Sequence, residues 1–232
     1  MSQRVRWLIT DIDGTITDSQ GLLALDACKQ LRILEGSGVR VGLISGRPYP
    51  MVRMLGEYLG VTGPLIAENG GVGLFLGQRF EIGSRIVTKN AARQLQSATP
   101  IQPTWDNEWR VTDFAIEPCA SIEIIEQLIG RWNLDIELHV SSIMIHLSKK
   151  GINKRVGLEF CMADAGFEHD EVIVCGDAKS DFSLFEGFKH SIAPANSCEA
   201  VVNKAGFCAT SAFGQGFCEG LEYYRKKGYL PQ

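Results

Sequence analysis

Short apolar runs alternate with longer stretches in which apolar residues recur at helical spacing, and this alternation organises the first third of the chain. Val5 to Ile9, broken only by Arg6, reads as a buried strand that runs into Thr10-Asp11-Ile12-Asp13-Gly14-Thr15. Leu23, Ala27, Leu31 and Leu34 then mark one helical face, punctuated by Gly36-Ser37-Gly38. Val39 to Ile44 is a second strand, closing in Ser45-Gly46-Arg47-Pro48. Val52, Leu55 and Leu59 mark a helix stopped near Gly60, and Pro64 to Ala67 is a third strand entering Glu68-Asn69-Gly70-Gly71. Strands and helices alternating in this way predict an α/β fold, a doubly wound parallel sheet of the Rossmann-like kind. Such sheets bind ligands at the carboxyl ends of their strands.

From about Phe80 the texture changes. Ile86 to Leu95 reads as a helix, Thr99 to Arg110 holds two prolines and two tryptophans, and Phe114 to Ile116 is a short strand. Ser121 to Trp132 reads as a helix, and Leu134 to Val140 and Ile143 to Leu147 as strands joined at Ser141-Ser142. This pattern predicts an inserted α+β unit with an antiparallel sheet over 81–149, interrupting a core made of 1–80 and 150–232. The parallel pattern resumes with a helix opened by Lys154 and ended by Gly166, then the strand Glu171 to Cys175 and the loop Gly176-Asp177-Ala178-Lys179-Ser180-Asp181. A helix at Phe182 to Phe185, a strand at His190 to Ala193 and a last helix from about Gly216 to Lys227 complete it.

Composition narrows the partners. In 232 residues the apolar share is 45%, the charged share 22% and the formal net charge −4, so no basic footprint for nucleic acid or an anionic membrane exists. No apolar run is long enough for a bilayer, and Met-Ser-Gln-Arg-Val-Arg leads directly into a strand rather than a signal peptide. The seven cysteines are odd in number and lack any Cys-x-x-Cys pair, which argues against zinc or a disulfide framework. Reduced thiols in a cytoplasmic monomer or homodimer are the expectation.

The strand ends carry the chemistry. Side chains alternate along a strand, so Asp11 and Asp13 can share one site, with Gly14 turning the chain and Thr15 adding a hydroxyl and an N–H. Crowded carboxylates repel, and a hard cation such as Mg²⁺ is the usual remedy. Ser45, Lys154, Asp177 and Asp181 fall at other strand ends. Four acids, one hydroxyl and one ammonium suit phosphoryl transfer: a cation and a lysine offset the ester's charge, and one carboxylate attacks while another shuttles protons. A polar turn after a strand is the plain alternative for Asp-x-Asp-Gly taken alone.

With Asp11-Ile12-Asp13-Gly14-Thr15, Leu43-Ile44-Ser45-Gly46, Lys154 and Gly176-Asp177-Ala178-Lys179-Ser180-Asp181 in this order, the chain resembles the haloacid dehalogenase superfamily of phosphatases. The place of the insertion resembles the large cap of the Cof-like branch. Pro64 to Gly71, Asn107-Glu108-Trp109-Arg110 and Ser141 to Lys154 are similar to archaeal-type phosphoglycolate phosphatases. The resemblance implies Asp11 as nucleophile, Asp13 as general acid/base, and Thr15, Ser45, Gly46 and Lys154 around the phosphate. It implies Mg²⁺ held by Asp11, the Asp13 carbonyl and Asp177, with Asp181 as ligand or support. Ser180 stands where the superfamily's motif usually has Asn. The implied substrate is a small anionic phosphate ester, phosphoglycolate first, with a sugar phosphate or a phosphomutase reaction as alternatives.

Other residues divide between roles. Arg110 is the candidate reader of a substrate carboxylate, against an ion pair with Glu108 or Asp113 on the surface. Arg47 fits phosphate contact or a salt bridge, and Asn69 and Asn196 fit loop orientation or plain turns. His139, His146, His169 and His190 share no ligand spacing and read as structural. Trp105, Trp109 and Trp132 read as cap core, and Cys175 as a buried thiol.

Overall fold

The computed structural model describes residues 5–118, 122–141 and 144–232. Cys119, the helix start expected at Ser121, and Ser142 and Ile143 of the expected strand pair lie outside these residues. The chain runs β1 (Trp7–Thr10), α1 (Leu25–Gly36), β2 (Arg40–Ile44), α2 (Tyr49–Leu59), β3 (Leu65–Ala67), β4 (Val72–Phe75) and β5 (Gln78–Glu81). Next come α3 (Arg85–Gln96), β6 (Phe114–Ile116), α4 (Ile122–Arg131), β7 (Ile136–Val140) and β8 (Ile145–Lys149). The chain then returns with α5 (Lys154–Ala165), β9 (Val172–Cys175), α6 (Phe182–Gly187), β10 (Ser191–Ala193), α7 (Glu199–Val202), β11 (Phe207–Cys208) and α8 (Phe213–Lys226).

The large sheet has the order β11-β10-β9-β1-β2-β3-β4-β5. From β11 to β3 neighbouring strands are parallel, and β4 and β5 extend that edge as an antiparallel hairpin. Both faces are covered, as a parallel sheet requires. Leu8 joins one core with Leu31, Leu34, Val52, Phe217 and Leu221. Trp7 and Ile9 point the other way, onto Leu158, Cys161, Met162, Leu184 and Val201. The β4–β5 hairpin is absent from the periodicity reading. Its two-residue turn is Leu76-Gly77, both at positive φ (48° and 77°), so the usual Asn-Gly or Asp-Gly signal is missing.

β1 lies between β2 and β9, with Thr10 level with Leu43 on one side and Cys175 on the other. Chain connections diverge at this switch point, which leaves a crevice above the strand ends. α5 starts beside it. Asn153 caps that helix by accepting from Val156 N (3.1 Å), and Gly166 ends it in the left-handed region. A Cβ on Gly157 would lie 2.6 Å from Gly70 Cα, so two glycines let the start of α5 press against the Glu68–Gly70 turn.

The insertion is a three-stranded antiparallel sheet, β6-β8-β7, carrying α3 and α4 on one face. Ala92, Leu95, Ile116, Ile125, Ile145 and Leu147 form its core. Strand alternation then turns His146 and Ser148 to the opposite face of β8. Trp132 packs on this core, but Trp105 and Trp109 stand largely exposed, edge to face at 5.0 Å. They sit in a short 3₁₀ turn outside either sheet, which corrects the expectation of cap core for these two. Among the described residues no helix is long and apolar enough to cross a membrane, and six cysteines are free thiols.

Candidate active site

A cleft of about 670 Å³ opens at the carboxyl ends of β1, β2 and β9, lined by Asp11, Asp13, Ser45, Lys154 and Asp177 and closed on the insertion side by Met144 and His146. Asp11 leaves the end of β1 with its N–H bonded to the Cys175 carbonyl (2.9 Å). Its Oδ1 accepts from Lys154 Nζ at 2.6 Å, and Lys154 makes a second 2.6 Å bond to Asp181 Oδ1. Lys154 is the first residue of α5, where a cation opposes the helix dipole, and it is fully buried. Only the two carboxylates make that placement tolerable. Burial alone would lower its pKa, but Asp11 and Asp181 outweigh it and hold the ammonium protonated.

Asp181 is spent on support. Its Oδ2 accepts from the N–H groups of Asp177 (3.1 Å) and Ala178 (3.0 Å), so it shapes the β9 loop while neutralising Lys154. Asp177 receives the Thr15 hydroxyl on Oδ1 (3.0 Å) and Asn196 Nδ2 on Oδ2 (3.2 Å). Asn196 also bonds the Gly14 carbonyl (2.9 Å) and accepts from Phe213 N (2.6 Å), which ties the β1 and β9 loops to α8. Gly14, at φ 84°, is the point where Asp177 lies against the loop after β1, and a Cβ there would overlap its carboxylate.

Oxygens of Asp11, Asp177 and Asp181 lie within 4.8 Å of one another, an all-carboxylate group able to hold a metal ion. Oxygen donors of this kind suit a hard divalent cation, and Asp11 and Asp177 keep lone pairs free for it. The crowding shows in the acidities. Burial raises the Asp11 carboxyl well above its usual value; Lys154 opposes this and the three other acids add to it. Burial, then Asp181, pushes Asp177 up to about 7.

Asp13 faces the cleft from the same loop, gripped by Arg47 through Nε (2.9 Å) and Nη2 (2.6 Å). Of the two roles open to Arg47, the salt bridge is the one formed. Ser45 is buried at the end of β2, its Oγ accepting from Arg47 N (3.1 Å).

The turn after β3 joins core to insertion. Glu68 and Asn69 both adopt positive φ (51° and 54°), an uncommon conformation for a side chain as large as Glu. The Glu68 carboxylate, fully buried, accepts from Val111 N (3.0 Å), Thr112 N (2.7 Å), Thr112 Oγ1 (2.7 Å) and Asp113 N (3.1 Å). These bonds hold the strained turn and dock the 110–113 loop on the core. Glu68→Gln should therefore cost about 1.5–3 kcal/mol, the range for charged hydrogen bonds, and raise KM; urea unfolding with steady-state kinetics checks both. An unchanged midpoint would remove the strut.

The sequence profile of the haloacid dehalogenase-like hydrolase family matches residues 8–95 and 113–220. The chain belongs to that family. Phosphoglycolate phosphatase of Methanosarcina mazei is 31% identical over 231 residues, covering 96% of this chain and 98% of that protein. Phosphoglycolate phosphatase 1 of Saccharolobus solfataricus is 28% identical over 222 residues (94% and 95%). A crystal structure from Thermoplasma acidophilum superposes with a TM-score of 0.89 at 23% identity, covering 96% of this chain and 99% of the other. A haloacid dehalogenase-like hydrolase from Bacteroides thetaiotaomicron gives 0.75 at 20% identity (97% and 99%).

Within this hydrolase fold, Asp11, Asp13, Ser45, Gly46, Lys154 and Asp177 gather around one cleft, with Asp181 directly behind. Two expected contacts are placed differently. Thr15 is fully buried and gives its hydroxyl to Asp177, so it supports an acid rather than facing the cleft. Arg110 is neither a surface pair nor a cleft residue: it is buried, bonded to Asp106 (2.7 Å), Asp113 (2.9 Å) and the Gly46 carbonyl (3.0 Å). Its donors are committed, because a buried guanidinium must be neutralised where it lies. His146, read as merely structural, lines the cleft instead. The signal available for it was the alternation in Ile145-His146-Leu147-Ser148, one apolar and one polar face of a strand.

Proposed function

We propose that this chain is a Mg²⁺-dependent phosphomonoesterase working through an aspartyl-phosphate on Asp11, with phosphoglycolate as its leading substrate and the cytoplasm as its location. The observation that carries the reading is Lys154 buried between Asp11 and Asp181 at the switch point of the sheet. It aligns the Asp11 carboxyl and sets a positive charge against the acids of a cleft otherwise too negative for a phosphate dianion. Names borne by the relatives at 28–31% identity support the substrate class.

Asp11 Oδ1 is tied to Lys154, which leaves Oδ2 to attack phosphorus, while Ser45 Oγ and Lys154 lie where phosphoryl oxygens need donors. Asp13, once freed from Arg47 and protonated from solvent, gives that proton to the departing alkoxide and, as a carboxylate again, takes one from the water that splits the acyl phosphate. Asp11 and Asp177 would hold Mg²⁺, which supplies positive charge against the phosphoryl oxygens.

The test is phosphate release from a metabolite panel with Mg²⁺, including phosphoglycolate, sugar phosphates and p-nitrophenyl phosphate. Phosphoglycolate is expected to show the highest kcat/KM. Release from none of them ends the phosphatase reading, and transfer to an acceptor in place of water would make the chain a phosphotransferase or phosphomutase.

A further inference from the structure

Two polar tips at the cleft, one from the turn after β3 and one from β8, have no protein partner among the described residues. Asn69 is 1% exposed, lines the cleft, and its Nδ2 makes no hydrogen bond among the described residues. His146 is 4% exposed, and its Nδ1 lies 2.9 Å from Asp113 Oδ2 and 3.3 Å from Arg110 Nη1; the Asp113 carboxylate, held ionised by Arg110 and His146, only accepts, so Nδ1 carries the proton and donates to it. Its Nε2 is left facing the cleft. Both tips converge on the bare side of Gly46, next to Ser45: a Cβ built there would sit 2.8 Å from His146 Nε2 and 3.3 Å from Asn69 Nδ2. The approach is so close that only glycine fits at 46, and it sets the two tips side by side against one bare stretch of backbone.

Among the charges around His146, Asp113 and Asp106 favour an imidazolium and Arg110, 3.3 Å from Nδ1, opposes it. Arg110 faces two carboxylates, Asp106 and Asp113, so one guanidinium is set against two acids. Arg47 is matched by Asp13, and Glu68 by the N–H groups of the 111–113 loop. Arg85 spends its donors on the Asn107 and Asp113 carbonyls, and His139, across from His146 on β7, bonds the Ile152 carbonyl (3.0 Å). An imidazolium at His146 would therefore complete the balance of the buried cluster.

We propose that His146 Nε2 and Asn69 Nδ2 together bind the carboxylate of the substrate's leaving group, His146 entering the contact as imidazolium. The inference rests on the phosphatase reading and names what that reading leaves open, the group that recognises the part of the substrate beyond phosphorus. Two donors side by side at the cleft wall match the two oxygens of a carboxylate. Gly46 follows Ser45 directly and all four residues line one cleft, so these donors face the side of the phosphoryl site on which a short leaving group would lie. In the protein alone burial lowers the His146 pKa, so a proton arrives together with the anion.

The experiment compares kcat/KM for phosphoglycolate with that for ethyl phosphate, its analogue without the carboxylate, in the full chain with Mg²⁺. His146→Leu and Asn69→Gly are measured beside the unaltered chain between about pH 5.5 and 8.5. Glycine accepts the positive φ of residue 69, so the second variant stands in if the first fails to fold. Each variant should lose roughly ten- to hundredfold on phosphoglycolate and less than about threefold on ethyl phosphate. The unaltered chain should lose phosphoglycolate kcat/KM as pH rises, through a limb missing from ethyl phosphate and from His146→Leu. An unchanged substrate ratio in both variants overturns the proposal, as does an unaltered chain that cleaves ethyl phosphate equally well. Release from no ester at all instead falls on the phosphatase reading.

Discussion

Asp11→Asn is expected to abolish phosphate release from every ester, a loss of at least about 10⁴-fold in kcat, while the protein stays folded. An amide oxygen is a weak nucleophile, and the substitution also removes the charge that holds Lys154 in place on the cleft side. The fold survives because Lys154 keeps Asp181 as a counter-ion, and Asp181 keeps the two backbone donors of the β9 loop. The variant also relieves a crowded set of acids whose repulsion, with burial, raises the Asp11 pKa. Its melting temperature should accordingly stay close to that of the unaltered chain. Intact mass after acid quenching during turnover should reveal a phosphoryl adduct on the unaltered chain and none on the variant. Appreciable turnover by Asp11→Asn, with reversion to Asp by deamidation excluded, would end the aspartyl-phosphate proposal.

Removing divalent cations should be as damaging, and its recovery should depend on pH. Excess chelator is expected to stop turnover, and Mg²⁺ to restore it. Proton and cation compete for the same oxygens of Asp177, whose carboxyl is pushed up to about 7 by burial and by Asp181. The sign follows from competition. Below about pH 7 the proton must leave before the cation binds, so apparent affinity should fall up to about tenfold per pH unit, whereas above it the dependence should flatten. Titrating Mg²⁺ at several pH values, by activity and by the rise in melting temperature, separates binding from catalysis. Asp177→Asn should lose both the thermal shift and the activity. Full turnover in chelator, or a thermal shift that ignores pH, would refute the carboxylate site.

The alternation of short apolar runs with helical faces was sufficient to establish the parallel core. Strands such as Leu8-Ile9 and Val172 to Cys175 are buried on both faces, and burial of that kind forces continuous apolar runs. The acids at the strand ends were legible for a related reason. Asp11, Asp13, Asp177 and Asp181 fall in the loops that follow such runs, where only a site at the strands' carboxyl ends accommodates charge, and the structure gathers them there. Lys154 was readable from its place between the insertion and the last acidic loop. What tertiary structure alone decided are the partners made across long separations. Arg110 could read a substrate or be consumed by its neighbours Asp106 and Asp113, and only the docking of the 105–113 loop on the Gly46 carbonyl, 64 positions away, buries that ion pair and commits it inward. Thr15 could face phosphate or Asp177, and the crossing of Asp177 over Gly14 settles its hydroxyl on the acid. Asn69 and His146 sit 77 positions apart, and neither is unusual where it stands in the chain. They meet over Gly46 because the β3 turn adopts positive φ while β8 turns its polar face to the core, and local periodicity encodes each half without encoding their meeting.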